Sequence, residues 1–171
     1  MKIKVSKESV VVQGPAFEDT IWGVCQFPHL AFDNEGNVCC NIHMADDVWE
    51  DMGVGKDVWF TSKDGGKTWG EVTPTGISGS PPHLMLHSSG ALILTYGRRE
   101  APFGERIMIS RDGGKTWGEE HILTEAYCND LGYPATVELE DGSLVTVYYE
   151  RYKDDKFTSI LGVKWRIEEF E

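Results

Sequence analysis

The chain has 171 residues, with 28 Asp and Glu against 16 Lys and Arg, a formal charge of −12, and 40% hydrophobic residues. That length allows one domain or a part of a larger repeated one, and no apolar run nears the ~20 residues of a membrane-spanning helix. The acidity speaks against a phosphate-backbone or polybasic lipid-surface role, so neither nucleic acid nor membrane is an expected partner.

In chain order, Met1 to Glu8 shows no apolar signal core. As it stands the chain reads as cytoplasmic, and as secreted or periplasmic if a leader has been removed. Ser9-Val10-Val11-Val12-Gln13 reads as a short strand. The four cysteines, Cys25, Cys39, Cys40 and Cys128, form no CxxC pair and no Cys/His cluster at zinc spacing. They read as small buried hydrophobes, and no metal or cofactor is expected.

From Phe27 onward the chain repeats. Phe27-Pro28-His29-Leu30, Pro81-Pro82-His83-Leu84 and Tyr133-Pro134-Ala135-Thr136 each open an apolar run. In every copy the aligned proline, Pro28, Pro82 or Pro134, precedes a glycine by 8 residues: Gly36, Gly90 and Gly142. The prolines recur after 54 and then 52 residues. A second apolar run follows each glycine, at 38–42, 91–96 and 143–149, so each copy reads as a hairpin with a glycine turn. Third strands are expected at about 57–61, 106–109 and 157–165. The first two run into nearly identical octets, Ser62-Lys63-Asp64-Gly65-Gly66-Lys67-Thr68-Trp69 and Ser110-Arg111-Asp112-Gly113-Gly114-Lys115-Thr116-Trp117. Asp bonding to nearby N–H groups, two glycines tolerating positive φ and a Trp anchor specify a tight turn.

These octets resemble the Asp-box, or bacterial neuraminidase repeat, S-x-D-x-G-x-T-W, and the chain from about Ile21 to Ile167 resembles the six-bladed β-propeller of the sialidases. The expected fold is therefore all-β: three four-stranded antiparallel blades at about 21–74, 75–126 and 127–171 of a single propeller segment spanning 1–171. Strand 9–13 is expected to complete the last blade, from this chain or a partner. Propellers close with ~4–8 blades. Three blades imply a 3 + 3 homodimer or a part of a longer chain. The octets themselves are expected to be structural turns on the periphery.

In a propeller the ligand lies at one end of the channel, on the loops after the second strands. Those loops hold Ala45-Asp46-Asp47, Gly97-Arg98-Arg99-Glu100 and Glu150-Arg151. The resemblance implies an exo-acting glycoside hydrolase with a glycan ligand, Tyr133 as nucleophile and Asp51 as general acid and base. It also implies Arg99, or its neighbour Arg98, holding a sugar carboxylate, with Gln26 and Asp46 on the substrate side. Gln26 stands where the family pattern Arg-Ile-Pro has its leading arginine, and a neutral amide supplies neither charge nor a bidentate fork. That departure keeps a noncatalytic glycan-binding or structural propeller as the alternative. His29 and His83 follow equivalent prolines and suggest either acid/base chemistry or shared packing. Trp22, Trp49 and Trp59 are sugar-stacking candidates.

Overall fold

The computed structural model describes residues 9–11, 25–44, 56–153 and 156–167. Among them are eleven strands: β1 Cys25–Phe32, β2 Val38–Met44, β3 Lys56–Ser62, β4 Thr73–Pro74, β5 Pro82–Leu86, β6 Leu92–Arg98, β7 Gly104–Ser110, β8 His121–Ile122, β9 Leu131–Glu138, β10 Leu144–Glu150 and β11 Ser159–Trp165. They form three antiparallel sheets in the orders β1-β2-β3-β4, β5-β6-β7-β8 and β9-β10-β11. Each first strand turns back through a loop of one design. Gly36, Gly90 and Gly142 take φ values of 82°, 85° and 74°, and their N–H groups donate to the carbonyls of Asp33, His87 and Leu139.

The sheets stack face to face as blades. Inner strand β5 lies between β1 and β9, so blade 2 is covered on both sides and β6 is buried along nearly its whole length. One face of blade 2, with Leu84, Leu92, Leu94 and Tyr96, packs on Cys39 and Trp59 of blade 1. The other, with Ile93, Ile107 and Ile109, packs on Leu144 and Trp165 of blade 3.

Both octets fold into the same turn. Ser62 Oγ donates to Asp64 Oδ1 (2.9 Å), and Asp64 accepts from Thr68 N (2.9 Å) and Thr68 Oγ1 (2.7 Å). Ser110, Asp112 and Thr116 repeat these bonds at 2.9, 2.9 and 2.6 Å. The bonds from Thr68 and Thr116 hold both carboxyls well below the usual carboxylate range, Asp112 at about 2. Asp112→Ala, which removes these acceptors at the surface, is expected to lower stability by ~1 kcal/mol, read as a small drop in Tm with unchanged secondary structure.

The twin turns differ in what they touch. Trp69 packs on the outer face of blade 1, against Cys40, Ile42, Val58 and Phe60. Trp117 lies edge-on to Trp59 with ring centroids 5.8 Å apart, inside the joint between blades 1 and 2. The second octet is therefore part of an interface as well as a turn.

Among the described residues the third sheet shows three strands. Of strand 9–13, the described residues 9–11 lie at the first blade. Ser9 Oγ donates to Gly66 O (2.6 Å), Trp69 Nε1 donates to Ser9 Oγ (3.4 Å), and Val11 covers the Cys40–Phe60 cluster. A free apolar sheet face next to the chain's own Val11 is a sufficient reason for that docking.

Candidate functional site at the channel end

Inner strands β1 and β9 begin with the same irregularity. Phe27 and Tyr133 hold φ values of 53° and 52°, a region that costs a non-glycine residue roughly 1–2 kcal/mol. The β1–β2 register shifts between Gln26 and His29, and the β10–β9 register shifts between Val147 and Tyr149. Such bulges re-aim side chains, and here they bring two aromatic rings from different blades together. Phe27 and Tyr133 meet edge to face, with centroids 6.0 Å apart. Tyr133 also lies 5.9 Å from the Tyr149 ring, and Phe27 lies 6.4 Å from His43. Tyr133 remains 57% exposed.

Arg99 reaches this cluster from blade 2. Its Nη2 donates to Tyr149 Oη (3.2 Å), its Nε to Ser80 O (3.1 Å) and its Nη1 to Asn129 O (3.2 Å). Gly132 makes room for it, because a Cβ there would sit 3.2 Å from Arg99 Nη2. On the blade 1 side, buried His43 Nδ1 lies 3.1 Å from Asp57 Oδ1. Burial pushes the Asp57 carboxyl up to about 6 even though His43 favours its charged form.

No family model and no curated protein matches the chain. Solved structures do. A Dyadobacter fermentans protein of unknown function aligns at 25% identity and TM-score 0.71, over 83% of this chain and 38% of that one. A Hadza microbial sialidase aligns at 16% and 0.62, over 86% and 36%. The GH93 α-L-arabinofuranosidase of Fusarium graminearum, solved with arabinobiose, aligns at 14% and 0.62, over 83% and 45%. This is a partial sialidase-like propeller fold. The chain spans less than half the length of each of these relatives.

Within the sialidase-like segment the expected site residues separate. Tyr133 and Arg99 share one cluster through Tyr149. Arg98 leaves the opposite face of its strand and donates to Glu120 Oε1 (2.7 Å), whose other oxygen accepts from Tyr96 Oη (2.6 Å). Gln26 lies in β1 at the same end as Phe27, whereas Asp46 and Asp51 lie outside the described residues, as do Trp22 and Trp49. Trp59 is 4% exposed and locked against Trp117 and Gly114, so the expectation that it stacks on sugar is overturned by the blade joint that buries it. His29 and His83 touch, with ring centroids 5.3 Å apart. His83 accepts from Thr136 N (3.4 Å) and is lowered to about 4 by burial and then by His29. Among the described residues no group of three or more His, Cys, Asp or Glu suits a metal, and the two histidines lie edge to face across the inner strands of blades 1 and 2.

Sequence reasoning missed Tyr149 and the carboxylate of Glu105. Glu105 is fully buried at the end of the Ile107–Ile109 stripe, and neither of its carboxylate oxygens has a hydrogen-bond partner. Burial pushes its carboxyl up to about 8, against the pull of Arg99 and Arg106 and with Glu150 adding to the rise. Glu150, also buried, is raised by burial. A charge closing an alternating apolar stripe was the available signal for Glu105.

Proposed function

We propose that this segment belongs to an exo-acting glycan-processing propeller that takes its sugar at the channel end. The observation that supports this reading best is the exposed Tyr133, turned out of its strand by a left-handed residue and set beside Tyr149 and Phe27. Aromatic faces stack on the apolar faces of sugars, and a phenol there is also a nucleophile. In the hydrolytic cycle Tyr133 gives its phenolic proton to water, its Oη bonds to the anomeric carbon as the glycosidic bond breaks, and Asp51 protonates the departing oxygen. Water then attacks the glycosyl-tyrosine, its proton passing to Asp51 and the phenolate leaving. Arg99, Gln26 and Asp46 orient the sugar, while Arg98, turned away to Glu120, takes no part. The octets serve as Asp-box turns on the periphery.

The engagement of Arg99 with three protein acceptors favours a second reading, noncatalytic glycan binding, because three of the five guanidinium N–H donors are already bonded within the protein. Hydrolysis of a chromogenic sialoside beside neutral glycosides, an arabinofuranoside among them, separates the two. Turnover that Tyr133→Phe abolishes without loss of glycan binding is the expected result. Turnover unchanged in Tyr133→Phe removes the nucleophile assignment, and binding without turnover of any glycoside selects the second reading.

A further inference from the structure

The two ends of the blade stack repeat the two sides of the joints inside it. Leu84 and Leu86 of blade 2 are the residues 54 positions after Leu30 and Phe32 of blade 1. Leu84 is 3% exposed, buried in the joint with blade 1, and Leu86 packs beside it. Their equivalents Leu30 and Phe32 are 61% and 60% exposed. At the other end, Met85, Thr95 and Glu105 of blade 2 correspond by repeat and strand register to Val137, Val147 and Ile160 of blade 3. Thr95 and Glu105 are buried on the side facing blade 3, where Thr95 Oγ1 meets Thr136 Oγ1 at 3.1 Å. Ile160 is 76% exposed, with Val137 and Val147 exposed beside it. The chain thus carries one open front face and one open back face of the same kind of joint. Val11 covers only the outer part of the front face, over the Cys40–Phe60 cluster, and leaves the inner-strand residues open.

We propose that the back face of blade 3 (Val137, Val147, Ile160) docks the front face of blade 1 (Leu30, Phe32) of a second copy, twice, so that two chains close one six-bladed ring. Front-to-back contacts are heterologous, and they end in a closed ring when the rotation per copy completes a turn. Two copies supply six blades, within the ~4–8 at which propellers close. Closure also completes the channel end, since each copy contributes its own Phe27, Tyr133 and Arg99. The inference concerns assembly and stands whether or not the bound sugar is hydrolysed.

Light scattering on the purified chain tests it. The expected result is a particle of two chains that dissociates on dilution. Leu30→Asp and Ile160→Asp change side chains that are exposed in the single chain, so each should keep the native far-UV spectrum. Each should raise the dissociation constant at least ~10-fold by burying an unpaired carboxylate in the joint. Mixing the two variants should restore pairing, because one of the two contacts is then native on both sides. A folded monomer at every concentration overturns the proposal and assigns both faces to further blades of a longer chain. Loss of pairing in only one of the two variants, or growth into particles larger than two chains, overturns it as well.

Discussion

Gly114→Ala is expected to destabilise the protein by ~2–4 kcal/mol, whereas Gly66→Ala, at the matching position of an almost identical octet, should cost only about 1 kcal/mol. Both glycines hold a φ of 85°, so both substitutions carry the same backbone strain. They differ in what a Cβ would meet. At Gly66 the nearest atom is Trp69 Cζ2 at 3.8 Å, an ordinary contact. At Gly114 two atoms of the Trp59 ring, Cε2 and Cζ2, would lie at 2.6 Å. Trp59 cannot easily retreat, because it is buried in the joint between blades 1 and 2 with its edge on Trp117 and its Nε1 donating to Thr61 Oγ1 (3.1 Å). Overpacking of this kind is relieved only by moving the joint. Thermal melts of the two variants side by side measure the difference. Equal Tm values would mean that Trp59 does not hold the second octet.

Glu105→Gln should flatten the alkaline side of the stability–pH curve. The Glu105 carboxyl is held at about 8 when folded, against an ordinary value of 4.5. Between those values the folded chain binds a proton that the unfolded chain releases. The stability associated with the neutral acid is therefore complete below about pH 4.5 and is lost as pH rises toward 8. The loss is on the order of 5 kcal/mol at ~1.4 kcal/mol per unit, and the charges of Arg99 and Arg106 already oppose it within the folded value. Glu150 and Asp57, also raised, add to the fall in the same direction. An amide at 105 is neutral at every pH, so the variant should match the parent at pH 5 and exceed it at pH 8.5 in urea midpoint. Parallel curves for the two proteins across that range would show that Glu105 stays ionised in the folded state.

This buried carboxyl lies where Arg99 crosses from blade 2 to blade 3, and it bears on the site as well as on stability. Arg99 holds Ser80 O, Asn129 O and Tyr149 Oη at once, so the position of Tyr149, and with it the support under Tyr133, depends on the joint between those blades. The aromatic cluster is a product of that joint rather than of any one loop.

The blades were legible in the amino-acid order because their signals are short-range. Period-two alternation, a glycine 8 residues after each aligned proline and the S-x-D-G-G-K-T-W octets each specify a strand or a turn from a few neighbouring residues. Tyr133 and Arg99 stood out through the sialidase resemblance, and Arg99 also by its place in a loop after a second strand. The separation of Arg98 from Arg99 was not legible. Arg98 is the last residue of β6 and Arg99 the first beyond it, and only the register of β6 between its neighbours decides that one reaches Glu120 and the other blade 3. The roles of Trp59 and Gly114, the partnership of Phe27 with Tyr133, and the burial of Glu105 likewise arise from residues tens of positions apart. By itself the sequence determined three hairpin-built blades and the chemistry available at their ends. Which of those groups meet was decided by the stacking of one twisted sheet on another, because burial and register are properties of the stack and not of any segment within it.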